Sequence, residues 1–149
     1  RSNYKAFLSD QVYDGGSGLA FHFDKDEHTY KTEQIMKHPC LSSVLYLTGT
    51  DEDRLRQGPI GVVFKSDSGY EACTVILDQR FDSEKGVASP ESPSSCVFVP
   101  PAVGKYCLFD GSLGHGVLDS SNLDRRATML INWWKEKPQV GTLSALVAC

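Results

Sequence analysis

The sequence predicts an all-β domain, a sandwich or barrel with one minor helix. Apolar and polar residues alternate at period two over many short stretches, clusters of Gly, Pro, Ser and Asp interrupt those stretches, and helical periodicity is scarce. Many short strands without long helices bury their apolar faces against one another, which gives a sandwich or barrel. At 149 residues the chain is long enough for one domain with a real core and short for two, so residues 1–149 read as a single domain.

Along the chain, residues 18–24 (GLAFHFD) form the first expected strand. Residues 28–38 follow as one short helix or an ordered loop. Further strands are expected at 42–48 (SSVLYLT), 59–65, 72–78, 96–99 and 105–109, and the longest and strongest at 125–134 (RRATMLINWW). Residues 82–95, with SPESPSS, make a polar Pro and Ser loop that buries little and lies outside the catalytic core. No internal repeat or dividing linker is present.

Composition narrows the function classes. Fifteen Lys and Arg against nineteen Asp and Glu give a net charge of −4, with neither sign gathered into a block, which disfavours a dedicated nucleic-acid surface. No apolar run approaches the roughly 18 residues that span a bilayer, and no secretory signal opens the chain, so a soluble protein is expected. It begins at Arg1 rather than a methionine, as a processed chain or an excised domain does. Cys40, Cys73, Cys96, Cys107 and Cys149 are odd in number and widely spaced, with no C-x-x-C pair. Reduced thiols filling the core of an intracellular protein, cytoplasmic or nuclear, fit that pattern.

Chemistry concentrates in two places. In GLAFHFD, strict alternation puts Ala20, His22 and Asp24 on one face and Leu19, Phe21 and Phe23 on the other. An imidazole and a carboxylate two residues apart therefore point into one space, as adjacent ligands of an octahedral metal do. A second imidazole would complete a facial triad and leave positions open. His115 is the best candidate, because it follows an expected strand and stands between Gly114 and Gly116, which let the backbone approach a buried site. His28, in a charged run, and His38, before Pro39, read as loop positions. On the 125–134 strand Arg126, Thr128, Leu130, Asn132 and Trp134 share a face, so a guanidinium fork and a hydroxyl lie side by side, a pairing suited to a carboxylate.

Taken in order, His22-x-Asp24, Tyr46-Leu47, His115 and Arg126-x-Thr128 resemble the iron(II)- and 2-oxoglutarate-dependent dioxygenase superfamily, especially its prolyl-hydroxylase-like branch. The resemblance covers about residues 18 to 138. It implies a double-stranded β-helix (a cupin-like jelly roll) in which His22, Asp24 and His115 hold Fe(II) and no further catalytic residue is needed. Arg126, Thr128 and the phenol of Tyr46 would clamp 2-oxoglutarate, with Asp26 or Ser112 orienting the ligands. The implied activity is hydroxylation of a C–H bond in a protein side chain or small molecule, with release of succinate and CO2 and with ascorbate as an auxiliary reductant. After Arg126 the face continues with Thr128, Leu130 and Asn132, which departs from the nucleic-acid demethylase pattern of that superfamily. The interval from His22 to His115 is long, which the 82–95 loop accounts for. The region before Gly18 is short where supporting helices are usual, so either those helices are missing from this chain or the protein is a minimal version whose sheet an oligomer or partner covers. Two alternatives remain at this level: a cupin-like metal domain without 2-oxoglutarate chemistry, and a non-catalytic β-sandwich interaction module.

Overall fold

Among the residues that the computed structural model describes (5–14, 18–48, 72–120 and 125–139), the chain forms antiparallel strands and one short helix. In chain order these are β1 (Lys5–Asp14), β2 (Leu19–His22), α1 (Glu27–Glu33), β3 (Leu41–Tyr46), β4 (Thr74–Asp82), β5 (Val87–Ser89), β6 (Cys96–Val99), β7 (Tyr106–Asp110), β8 (Leu113–Val117) and β9 (Arg125–Trp134). The strand expected at 59–65 and Cys149 lie outside the described residues.

Alternation sorts these strands into two sheets. A four-stranded sheet has the order β1-β9-β3-β7, and a five-stranded sheet has the order β2-β8-β4-β5 with β6 also on β4. This is an all-β jelly roll. β9 is the spine of the larger sheet, pairing with β1 from Lys5↔Trp134 to Asp14↔Arg125 on one side and with β3 on the other. The larger sheet contributes Val44, Tyr46 and Phe109 to the core and the smaller contributes Ile76, with Leu113 and Leu130 packed against them. Each fully buried apolar side chain of this size stabilises the fold by about 1.5–3 kcal/mol. The larger sheet's outer face keeps Leu41, Tyr106 and Leu108 at 39, 49 and 52% exposure.

Local chemistry sets the ends of the helix. Asp26 caps α1 by accepting from the Thr29 backbone N–H at 3.0 Å, and Gln34 stops it in the left-handed region at φ 59°. The helix is thus shorter than the 28–38 expectation. A second Asp26 oxygen accepts from the Gln139 backbone N–H at 2.7 Å, which ties the chain beyond β9 to the helix cap. Burial alone would raise the Asp26 carboxyl, but hydrogen bonds from Thr29 and Gln139 hold it below its ordinary value.

The 82–95 loop is more ordered than its composition predicts. β5 adds to β4 through Arg80↔Ser89, Phe81↔Ala88 and Asp82↔Val87. The Asp78 carboxylate accepts from the backbone N–H and hydroxyl of both Ser94 and Ser95, and the Gln79 amide donates to the Pro90 and Glu91 carbonyls. The cysteine expectation needs correcting. Cys73 is buried and Cys107 half-buried, but Cys40, in the turn before β3, and Cys96, at the start of β6, are exposed. No helix among the described residues is long and apolar enough to cross a membrane.

Candidate metal centre

Strand pairing brings the two histidines together. His22 on β2 is the direct Cα partner of His115 on β8, and their ring centroids are 4.5 Å apart. β2 ends at His22, and Asp24 follows in the extended segment beyond it. Its Oδ1 lies 3.8 Å from His22 Nε2 and its Oδ2 3.7 Å from His115 Nε2. One ligand atom from each of the three side chains falls within 4.8 Å of the others.

Hydrogen bonds decide which atoms face that common space. His22 Nδ1 contacts the Ala20 carbonyl at 2.9 Å, and His115 Nδ1 contacts the Leu113 carbonyl at 3.0 Å. A carbonyl only accepts, so each Nδ1 carries a proton, and the neutral form of each ring offers its Nε2 lone pair toward the triad. Burial lowers the His115 pKa, against the partial opposition of the Asp24 charge, and this favours the neutral ring that binds metal. Ser42 Oγ donates to Asp24 Oδ2 at 2.6 Å, and the Asp24 carbonyl accepts from His38 Nδ1 at 2.7 Å. Phe109 closes one side of His115, edge to face at 4.9 Å between centroids.

A divalent ion fits this donor set. First-row metals bind His nitrogen and carboxylate oxygen at about 2.0–2.2 Å, which puts adjacent octahedral ligands about 3 Å apart. Holding an ion would draw the three donors, now within 4.8 Å of one another, closer together. Two imidazoles and one carboxylate form a three-ligand set that leaves positions open, with the chemistry suited to iron(II). The open side is that of His22, whose side chain is 35% exposed against 10% for His115.

The triad stands in a small cavity between the sheets that is open to solvent on one side. Leu19 lines it along with His22, contrary to strict alternation. The register shifts between Leu19 and His22, and this bulge turns both residues inward while Phe21 stays 52% exposed outside. At Gly116 β8 passes close to β2, since a Cβ there would stand 2.9 Å from the Leu19 carbonyl oxygen.

Farther along β9, Thr128 lines the cavity at 2% exposure and is the Cα partner of Tyr46. Tyr46 is fully buried and donates from Oη to Thr74 Oγ1 at 2.6 Å. The phenol thus stands behind Thr74, and Thr74 with Thr128 faces the cavity. The backbone of Arg126 is in β9 opposite Tyr13, and its side chain lies outside the described residues.

Sequence reasoning missed Ser42 and Thr74, since neither carries a local motif. The two residues it named for orienting the ligands do other work: Asp26 caps α1, and Ser112 bonds with Asp110 and Arg80. His38, read as a loop position, is in the loop before Pro39 but holds the Asp24 backbone.

The fold has known counterparts. An oxidoreductase of the 2OG-Fe(II) oxygenase family from Burkholderia pseudomallei superposes with a TM-score of 0.54 at 12% identity, over 93% of this chain and 48% of that one. An N-substituted L-amino acid dioxygenase from Burkholderia ambifaria gives 0.50 at 16%, over 85% and 50%. A prolyl-4-hydroxylase from Pseudomonas putida gives 0.44 at 15%, over 91% and 53%. The first two establish that this chain has the jelly-roll fold found in 2OG-Fe(II) oxygenases, and the chain spans about half their length. No sequence-family model matches the chain, and no curated protein matches it in sequence.

Proposed function

We propose that this chain is an Fe(II)- and 2-oxoglutarate-dependent dioxygenase. In this reading it hydroxylates a C–H bond of a protein side chain or small molecule, with consumption of O2 and 2-oxoglutarate and release of succinate and CO2. The observation that carries the reading is the meeting of His22, Asp24 and His115 in one cavity, with both Nε2 atoms left as donors by the Nδ1 bonds. The names of the two superposed neighbours, an oxygenase and a dioxygenase, support the same class.

Each residue then has a physical task. His22, Asp24 and His115 would hold the iron, which supplies the redox chemistry when bound. Ser42 orients the carboxylate and the Ala20 and Leu113 carbonyls orient the imidazoles, the kind of outer support that fixes ligand geometry. Phe109 excludes water from the His115 side. At the other end Thr128 and Thr74, the latter held by Tyr46, with Arg126 from the same strand, would bind the distal carboxylate of 2-oxoglutarate. A net charge of −4 favours a protein or small-molecule substrate over a nucleic acid.

The test is 2-oxoglutarate turnover on the iron-loaded protein against a panel of candidate substrates, read as succinate. Iron-dependent succinate release, stimulated by a substrate, is the expected result. Tight metal binding without any 2-oxoglutarate binding or turnover would instead identify a metal-holding jelly roll of another class.

A further inference from the structure

Pairing along β2 stops short of the carboxylate. Its last rung is His22↔His115, and Asp24 follows in extended backbone that no strand pairs among the described residues. A side chain is aimed by the backbone that carries it, so a ligand two residues past the end of a ladder needs another anchor. Ser42 supplies one at the carboxylate itself. His38 supplies a second at the backbone, where its Nδ1–H donates to the Asp24 carbonyl at 2.7 Å across 14 positions of sequence. Fixing that carbonyl fixes ψ of Asp24, and so the direction in which its Cα–Cβ bond leaves the chain. Closing the base of the loop from Asp24 to His38 does not need this bond, because the Asp26 backbone N–H already donates to the Lys37 carbonyl at 2.9 Å.

His38 is itself well placed to act as an anchor. It is half-buried, and its ring meets the edge of Phe23 at 6.3 Å between centroids. Phe23 in turn lies over Gly114, where a Cβ would stand 3.2 Å from its Cε1, beside His115. One imidazole therefore touches both residues that follow His22. The next residue, Pro39, favours extended backbone at His38 and is buried against Gly111. We infer that His38 is a positioning residue of the metal centre, which acts through the Asp24 backbone to present the carboxylate to the ion. This goes beyond the functional reading above and rests on its assignment of the triad as a metal site.

The test is Mn(II) titration of metal-free wild type, His38→Phe and His38→Asn, with the melting temperature of each metal-free protein measured alongside. Phenylalanine keeps a ring against Phe23 and removes the donor. Asparagine removes the ring and keeps a donor, since its amide nitrogen, like Nδ1, is bonded to Cγ. Mn(II) is expected to bind His38→Phe about 10- to 100-fold more weakly than wild type, the usual loss when a support of a metal ligand is removed. His38→Asn should recover most of that affinity, even where its melting temperature is the lower of the two. An imidazole that served packing alone would give the opposite order. The inference is overturned if His38→Phe binds Mn(II) as tightly as wild type, or if His38→Asn binds no better than His38→Phe. It is overturned too if neither variant folds, since the imidazole would then serve the fold. Failure of the wild type to bind Mn(II) would instead bring down the assignment of the triad as a metal site.

Discussion

Ser42 donates its hydroxyl proton to Asp24 Oδ2 across 2.6 Å, and so joins β3 of the larger sheet to the carboxylate between the two histidines. Ser42→Ala leaves the Asp24 side chain present but free to rotate. Metal affinity is expected to fall about 10- to 100-fold, as for other supports of metal ligands, while the metal-free fold loses only about 1 kcal/mol. Metal titration alongside denaturant unfolding checks this. Unchanged metal affinity would remove Ser42 from the site.

Arg125 and Arg126 are consecutive in β9, and period-two alternation puts Arg126 in step with Thr128, which lines the cavity. Arg126→Ala is expected to weaken 2-oxoglutarate binding by about 1.5–3 kcal/mol, the range for hydrogen bonds to charged groups. Arg125→Ala should leave it nearly unchanged, and Arg126→Lys should recover only part, since an ammonium lacks the fork. Co-substrate titration decides. If Arg125→Ala is the damaging change, the clamp is on the other face.

Gly116 and Gly86 separate a packing requirement from a backbone one. A Cβ at Gly116 would press on the Leu19 carbonyl oxygen at 2.9 Å and the Phe21 Cα at 3.2 Å, which forces β2 away from β8 and His22 away from His115. Gly116→Ala should cost about 1–3 kcal/mol of stability, as overpacking does, and weaken metal binding. At Gly86, in the β4–β5 turn, nothing lies within 4 Å, but φ is +71°. Gly86→Ala should cost about 1–2 kcal/mol and leave metal binding unchanged. Equal metal affinity in both variants would contradict this account.

Asp110 has its carboxyl at about 2: burial raises it, but hydrogen bonds from the Ser112 hydroxyl and backbone N–H and the Arg80 guanidinium at 2.9 Å outweigh that. Because the folded value is below the ordinary 3.8, its contribution to stability is complete above about 3.8 and is lost as pH falls through about 2. Solvent screening keeps that contribution small, since the side chain is 47% exposed. Arg80→Ala should move the Asp110 midpoint upward in an NMR titration. An unmoved midpoint would assign the shift to Ser112 alone.

How much of this was legible in the sequence depended on how local the cause was. β9 was read with its observed bounds because its ten residues carry the strand formers Thr128, Ile131, Trp133 and Trp134 with no glycine or proline to interrupt them. The meeting of His22, Asp24 and His115 was foreseen from H-x-D and from the glycines around His115, which are signals within a few residues. β1 was missed because Asp10-Gln11 breaks its alternation and its partner is at the far end of the chain. Leu19 was put on the wrong face because a period-two reading has no term for the bulge that follows it. Ser42 and Thr74 owe their roles to contacts across sheets, with Asp24 and Tyr46, and nothing beside them in sequence records those contacts. α1 ended early because Gln34 takes a left-handed conformation that its residue type seldom signals.

The central claim is that His22, Asp24 and His115 hold an iron that also binds 2-oxoglutarate. It is tested most directly by anaerobic titration of 2-oxoglutarate into the Fe(II)-loaded protein, with the visible charge-transfer band of an iron-chelated α-keto acid as the signal. The account predicts a saturable band with one site per chain in the wild type, lost in His115→Ala and in Asp24→Ala while both variants keep their metal-free fold. Persistence of the band in those variants, or Fe(II) bound at the triad with no band at saturating 2-oxoglutarate, would contradict it.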